Sequence, residues 1–247
     1  MDIRTITAVF LGIIVGLIGG FLLANALNRN EIDTLRSLAP QKQATPNDSK
    51  EQADDLNISG DEIKAKIAEA DANPTNFAFQ KNLGLALYRY ATMKKDTQLI
   101  DDATRLLVRA NSIDAKDYDV IVGLGNAYFD LGYFNKDSES LKRSREFYQR
   151  ALEAKPNDAD VRTDYALSFF VDEPADLKRS VDEFQRALKS NGKNERALQF
   201  LAQAYAKQND FSNAAKTLEQ LKAVNPKNET IAELSSQIAS GGAAPAK

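Results

Sequence analysis

Between residues 198 and 226, apolar side chains recur at the three- and four-residue spacing of amphipathic helices, in two runs separated by a polar turn. The two apolar faces consist of Leu201, Ala202 and Tyr205, and of Ala214, Leu218 and Leu221. Asn209 and Asp210 between them are typical turn residues, and Pro226 ends the second run because proline cannot continue a helix. The pattern predicts a helical hairpin in which small residues let the two helices approach closely.

The same hairpin pattern occurs three more times upstream. The first-helix motif at Leu201 has counterparts at Tyr165-Ala166-x-x-Phe169, Leu124-Gly125-x-x-Tyr128 and Leu83-Gly84-x-x-Leu87. The second-helix motif at Ala214 has counterparts that begin at Ser180, Ser144 and Ala103. The closing positions Pro74, Ala115, Pro156, Gly192 and Pro226 are spaced by 41, 41, 36 and 34 residues. One hairpin cannot bury its apolar face alone, so the copies should stack into a solenoid.

These motifs resemble the tetratricopeptide repeat (TPR) family, whose unit is about 34 residues long and carries the pattern L-G-x-x-Y…A-x-x-x-F…P. The resemblance implies an all-α, helical-hairpin solenoid over residues 61–240. The predicted parts are an N-terminal cap helix at 61–72, repeats at about 77–115, 118–156, 159–192 and 195–226, a closing helix at 229–239 and a disordered tail at 241–247. Ser59 and Glu62 form a capping-box pattern at the start of the cap helix.

Two details of the repeats differ from the family pattern. The first two units are seven residues longer than the family unit, and we expect this excess to lengthen their second helices. In the third unit, the sequence Asp172-Glu173-Pro174 suggests the start of the second helix, with proline in its first turn.

The amino terminus has a different character. After a short tail at residues 1–5, residues 6–27 are apolar or glycine apart from Thr7 and Asn25, and they match a bilayer core of about 30 Å. We interpret them as a transmembrane helix of the signal-anchor type. A cleaved signal peptide is the alternative, because Arg4 precedes the run and residues 24–26 fit an A-x-A cleavage site. Residues 28–60 are polar and predict a flexible linker.

Gly12, Gly16 and Gly20 place a smooth stripe on this predicted transmembrane helix, where a second helix could pack and produce a homo-oligomer. Glycine is also simply frequent in membrane helices, so the stripe has a second interpretation. Lysine and arginine counts on the two sides of the span nearly balance. Because the tail before the span is short, we expect a single-pass bacterial inner-membrane protein with its repeats on the periplasmic side.

Composition narrows the possible functions. The net charge of −3 argues against a nucleic-acid-binding surface. The chain has no cysteine and no histidine, and it contains neither a phosphate-binding loop nor a calcium loop. We therefore expect no catalytic residues, no metal site and no cofactor, and the chain is not expected to be an enzyme.

In the TPR family, the first helices line a concave surface that binds peptides. Carried over by position, the resemblance implies a peptide-binding groove lined by Lys81, Leu85, Tyr88, Arg89, Val122, Asn126, Phe129, Asp130, Thr163, Leu167, Phe170, Val171, Gln199, Gln203 and Lys207. Tyr88, Phe129 and Phe170 recur every 41 residues and predict an aromatic stripe. The stripe either faces a partner in the groove or packs into the core, as aromatics at helical spacing often do.

The sequence thus predicts a noncatalytic, membrane-anchored TPR scaffold that binds a protein or peptide partner. It resembles bacterial single-span TPR proteins of envelope protein assembly and cytochrome c maturation. The alternative is a self-assembling structural organiser of the membrane.

Overall fold

A computed structural model describes residues 59–242 of the chain, and this part is entirely helical with connecting turns. It falls into two compact units, which meet in sequence between Ala115 and Lys116.

In the described residues 59–115, unit 1 contains three helices: α1 (Gly60–Ala72), α2 (Phe77–Lys94) and α3 (Thr97–Ile113). Helices α2 and α3 form the first full hairpin, and α1 packs on it as a single cap helix. The core of this unit consists of Ala70 from α1, Leu83 and Leu87 from α2, and Ala103 and Leu106 from α3. Burial of these aliphatic side chains stabilises the unit, at roughly 1.5–3 kcal/mol for each fully buried large one.

Unit 2, as far as it is described (residues 116–242), contains three hairpins and a closing helix. Its helices are α4 (Tyr118–Asn135), α5 (Ser138–Ala154), α6 (Ala159–Phe170), α7 (Leu177–Ser190), α8 (Glu195–Lys207), α9 (Phe211–Val224) and α10 (Ile231–Gly242). The two helices of each hairpin pack on each other, adjacent hairpins pack together, and the closing helix α10 packs on α8 and α9. At the carboxyl end, Leu234 of α10 joins a buried cluster with Leu198, Ala202, Leu218 and Leu221.

Helix starts are set by a repeating polar signal. The side chain before each of the first nine helices of residues 59–242 accepts a hydrogen bond from a backbone N–H of the first turn. Asn76, Asp117, Asp158 and Asn194 cap the first helices of the four hairpins, and Asp96, Asp137, Asp176 and Asp210 cap the second helices. At α1, Ser59 and Glu62 form the full capping box, which confirms that prediction. Such caps contribute about 1 kcal/mol each.

The seven extra residues of the first two hairpins are distributed differently from the prediction. Their first helices, α2 and α4, have 18 residues, whereas α6 has 12 and α8 has 13. Their second helices have 17 residues instead of 14. The second helices are therefore longer, as predicted, but the first helices are longer as well, which the prediction did not include. In an antiparallel pair, an extension of one helix leaves its apolar face uncovered unless the partner lengthens as well.

Two positions show how closely the paired helices approach. A Cβ atom added to Gly84 would lie 2.9 Å from the Leu107 side chain, and one added to Gly125 would lie 2.7 Å from the Tyr148 ring. Glycine is needed at both positions because a real Cβ does not tolerate such contacts. In the extended part of the second hairpin, Gly132 is in equally tight contact with Leu141.

The third hairpin differs from the others between its helices. Residues 171–176 are not helical, and α7 begins only at Leu177 after its cap Asp176. The predicted helix start at residues 172–174 is therefore wrong. Instead, Asp172 turns toward α5, where its carboxylate accepts hydrogen bonds from Ser138 Oγ at 2.5 Å and Arg145 Nη1 at 3.0 Å. These bonds hold Asp172 out of a helical turn.

The predicted fold class needs one correction. The all-α TPR-like solenoid is supported, but within residues 59–242 no helix is both long enough and apolar enough to cross a bilayer. The part of the predicted fold class that the structure supports is thus the all-α solenoid. The predicted span at residues 6–27, its stripe of Gly12, Gly16 and Gly20, most of the linker 28–60 and the tail beyond residue 242 lie outside the described residues.

Candidate protein-binding surface

The first helices of the three hairpins in unit 2, α4, α6 and α8, contact one another in sequence and form a layer, which we call the first-helix layer. Between α6 and α8 the contacts are specific. The Phe170 and Phe200 rings meet edge to face, with their centroids 5.7 Å apart. Asp164 Oδ1 lies 2.5 Å from Arg196 Nη2, and Asn194 Nδ2 donates to Asp160 Oδ1 at 2.9 Å. The layer therefore combines an aromatic contact with polar links between adjacent helices.

The four predicted groove residues of unit 1 are Lys81, Leu85, Tyr88 and Arg89. All four are half-buried on α2. Tyr88 packs against the unit 1 core, so its ring is partly used within the fold.

Six of the predicted groove residues in unit 2 are buried. They are Phe129, Asp130, Thr163, Leu167, Phe170 and Gln199. Phe129 is 3% exposed and stacks on Tyr133 with a centroid distance of 6.3 Å. Phe170 is 2% exposed and packs on Phe200, which in turn stacks on Phe184 at 6.3 Å. Two of the three rings of the predicted stripe thus pack inside the fold, and the binding role of these residues stays a prediction.

Two other buried members of this set make hydrogen bonds within the fold. Thr163 Oγ1 donates to the carbonyl of Ala159 at 2.7 Å, as a hydroxyl one turn along a helix commonly does. Gln199 Oε1 accepts from Asn228 Nδ2 at 3.2 Å, which ties α8 to the turn before α10.

Five predicted residues remain accessible on the first-helix layer: Val122, Asn126, Val171 and Gln203 are half-buried, and Lys207 is exposed. Asn126 Oδ1 accepts from Tyr148 Oη at 2.9 Å, so its amide is held in one orientation. Val171 opens the nonhelical segment that Asp172 fixes against α5. This accessible set is more polar than the aromatic stripe that the sequence suggested.

Lys207 occupies a distinctive place at the end of α8. Its Nζ lies 4.4 Å from the centroid of the Phe170 ring, which is a favourable position for a cation. Although much of the side chain is exposed, burial of the amine lowers the pKa of Lys207, and the carboxylate of Glu173 opposes that shift. The ring thus positions a partly buried amine, on a largely exposed side chain, at the edge of the layer.

The sequence motifs indicated no role for the polar pairs that join α6 to α8. The side chains of Asp164 and Arg196 are 17% and 12% exposed. Burial raises the pKa of Asp164, while the charge and hydrogen bond of Arg196 oppose the shift. The sequence did contain a signal for Asn194. Asn or Asp recurs at positions 76, 117, 158 and 194, and these residues cap the successive first helices.

Comparison with protein families gives two matches. Residues 175–238 match the family described as tetratricopeptide repeat. Residues 64–174 match the family described as plant specific mitochondrial import receptor subunit TOM20. A comparison with curated proteins finds no match.

Solved structures with similar folds share little sequence with this chain. A structure of MamA covers 72% of this chain and 90% of its own, with 18% identity and a TM-score of 0.52. MamA from Desulfovibrio magneticus RS-1 covers 68% and 86%, with 15% identity and a TM-score of 0.54. TTC0263, a thermophilic TPR protein of Thermus thermophilus, covers 72% and 96%, with 14% identity and a TM-score of 0.51. At these identities the likeness concerns the fold alone.

The predicted localisation needs a correction. We expected a bacterial inner-membrane protein with its repeats on the periplasmic side. The family that residues 64–174 resemble is instead described by a plant mitochondrial protein, which contradicts that expectation.

Three observations agree on the type of fold. The hairpins repeat with small residues where the helices cross, residues 175–238 match the tetratricopeptide family, and the similar structures include a TPR protein of the same fold. Proteins of this type are generally noncatalytic scaffolds. The described part of the chain therefore has a TPR-like helical-repeat fold, and its residues 175–238 are similar in sequence to the tetratricopeptide repeat.

Proposed function

We propose that the chain is a noncatalytic scaffold that binds a protein or peptide partner on the first-helix layer of unit 2. The observation that carries the proposal is a set of accessible side chains on adjacent first helices and at the end of α6: Val122, Asn126, Val171, Gln203 and Lys207. Helical repeat arrays commonly use such a continuous surface for binding. The set offers two aliphatic contacts, two amides and one cation.

The rigidity of this surface supports a binding role. Lys207 is positioned by the Phe170 ring, Asn126 by Tyr148, and Val171 by the bonds of the neighbouring Asp172. Side chains that are already ordered lose less conformational entropy when a partner binds. We therefore expect the partner to find these groups largely in place, and the buried rings Phe129 and Phe170 to support the surface from below.

Site-specific crosslinking tests the proposal. A photoreactive amino acid is placed at Gln203 in the full-length chain, and in a second variant at Gln220, an exposed position on the second helix α9. The two variants are crosslinked in the cells of origin, and the products are identified by mass spectrometry. We expect a discrete heterologous product from position 203 that is absent from position 220.

The controls distinguish the possible outcomes. Lys207→Glu reverses the charge one turn from position 203, and we expect it to reduce the product several-fold while leaving the thermal unfolding unchanged. Equal products at positions 203 and 220 would overturn the proposal. A product with a second copy of the chain would instead support the self-assembling alternative.

A further inference from the structure

The cap helix α1 buries little of its surface against the hairpin on which it packs. Of its residues, only Ala70 is buried. Ile63 and Ile67 are partly buried against a surface formed by Leu83, Leu87, Ala103 and Leu106, which we call the capped face. The rest of the helix is mostly exposed.

The polar anchors of α1 lie at its carboxyl end. Gln80 Nε2 donates to the carbonyl of Ala70 at 2.7 Å and to that of Asn73 at 3.0 Å. The carboxylate of Asp71 accepts from the guanidinium groups of Arg105 and Arg109, the latter at 2.5 Å. Toward its amino end, α1 is held on the capped face by the two isoleucines.

We infer that the capped face is a second binding surface, which α1 occupies until an amphipathic helix of another protein replaces it. This inference rests on the proposed scaffold function but concerns a different surface. The partner's chemistry follows from α1 itself, which acts as a template for it. A fitting helix carries branched aliphatic residues at positions i and i+4, a small residue at i+7 and a carboxylate at i+8, as Ile63, Ile67, Ala70 and Asp71 do.

Charge complementarity makes this occupant specific. Arg105 and Arg109 lie one turn apart on α3, and both point their guanidinium groups at the single carboxylate of Asp71. A partner helix with an apolar residue or a lysine at i+8 would leave both cations without that carboxylate. The capped face should therefore prefer an acidic amphipathic helix to a basic one.

Competition with α1 sets the observable affinity. Helix α1 is tethered to α2 by four residues, so its effective concentration at the capped face is on the order of millimolar. A free peptide can compete with an intact α1 only at concentrations above this effective concentration. The reason is that the apparent affinity of the peptide falls with the fraction of molecules in which α1 has left the capped face. Weakening α1 without altering the capped face should therefore strengthen peptide binding.

A labelled peptide with the sequence of residues 59–74 provides the probe. We expect it to bind full-length Ile67→Ser, in which α1 is weakened, at least roughly tenfold more tightly than the unaltered chain, in proportion to the added open fraction. Matched control peptides carry Ile67→Ser or Asp71→Lys, and both should bind the same variant at least several-fold more weakly. Equal affinities for the two chains, or for the three peptides, would overturn the inference.

Hydrogen exchange of the unaltered chain gives an independent measurement. We expect amides of α1 to exchange through openings that leave α2 and α3 protected. Exchange of all three helices at one common rate would contradict a replaceable cap. A dimer formed by exchange of α1 between two copies would show that the occupant is a second copy of the chain. This result would overturn the inference that another protein binds the capped face. Neither result depends on the first-helix layer, so the proposed function can fail separately.

Discussion

The carboxylate of Glu183 offers the sharpest test of how the third hairpin is held together. Its Oε2 accepts from Arg162 Nη1 at 2.9 Å and its Oε1 from Arg186 Nη1 at 3.0 Å. The side chains of Glu183 and Arg162 are only 7% and 16% exposed. Arg162 also donates to the carbonyl of Pro156 at 2.8 Å, so this network joins α6, α7 and the turn before α6.

Removing Glu183 should be costly because a largely buried cation loses its counterion. Breaking a buried ion pair by deleting one partner typically costs 3–5 kcal/mol. Arg162 keeps its bond to Pro156 and some access to water, so we expect Glu183→Ala to lower the free energy of unfolding by about 3 kcal/mol, at the lower end of that range. With a urea slope of about 2–3 kcal/mol/M, the midpoint should fall by about 1–1.5 M.

The adjacent residue provides a matched control. Asp182 also lies on α7 and pairs with Lys178 at 3.3 Å, but these side chains are 51% and 88% exposed. Asp182→Ala should therefore change the free energy of unfolding by less than about 0.5 kcal/mol. Because the chain contains two compact units, unfolding is best followed by hydrogen exchange of peptides from α6 and α7 in increasing urea.

Two results would refute this reasoning. The first is a midpoint for Glu183→Ala that equals the midpoint for Asp182→Ala. The second comes from the double variant Arg162→Met/Glu183→Leu, which replaces the pair by apolar side chains and should regain most of the loss. If the loss of stability in the double variant equals the sum of the losses in the single variants Arg162→Met and Glu183→Leu, the cost does not come from an uncompensated charge.

Three further predictions follow from other parts of the array. Lys136 lies in the left-handed region with φ of 54°, whereas Lys155, which ends α5, has φ of −131°. Lys136→Gly should therefore raise the free energy of unfolding by about 0.5–1 kcal/mol, and Lys155→Gly should not raise it. Thermal melts of the two variants check this. Phe129→Ala should lower stability by about 3–5 kcal/mol, because it empties a buried aromatic site, and an unchanged urea midpoint would mean that the ring faces solvent. Hydrogen bonds from Arg105 and then Arg109 hold the pKa of Asp71 below its usual value of 3.8. The stabilisation of α1 by Asp71 is therefore present above pH 3.8 and is lost as the pH falls through the lower pKa of the folded state. Hydrogen-exchange protection of α1 should show this pH dependence in the unaltered chain and lack it in Asp71→Asn.

Hairpin register was predictable because independent signals coincide. Small residues mark where the helices cross, as at Gly125 against Tyr148, and Asn or Asp marks where each helix begins. The caps could have been found from sequence as well, since Asp117 and Asp158 recur at the same 41-residue spacing as the rings. Such local signals depend on backbone hydrogen bonding within one turn, which is why they can be read without tertiary structure.

Other features depended on contacts that no local pattern contains. Whether seven extra residues extend one helix or both is decided by the packing of the partner, as the contact of Gly132 with Leu141 shows. Asp172, Glu173 and Pro174 have the composition of a helix start, but Asp172 bonds to Ser138 and Arg145 from another hairpin. Here a tertiary contact prevails over a local preference, because two charge-assisted or short hydrogen bonds outweigh one cap.

The aromatic stripe shows that sequence periodicity does not predict which residues are buried. A recurrence of 41 residues places Tyr88, Phe129 and Phe170 at equivalent positions on their helices, but equivalence does not determine what covers each position. Phe170 is covered because Phe200, on the next first helix, reaches it. The next equivalent position on α8 is Ala206, which is itself buried and leaves no ring to extend the stripe.

This arrangement changes which chemistry a partner can use on unit 2. Because Phe129 and Phe170 are buried, a partner that binds the proposed surface would meet chiefly the amide of Gln203 and the amine of Lys207. The rings still matter, because Phe170 fixes the position of the Lys207 amine through a contact of 4.4 Å. Aromatic periodicity in this array therefore provides the support for a polar surface, and the specificity of partner binding should respond to changes at Lys207 and Gln203 before it responds to hydrophobic substitutions.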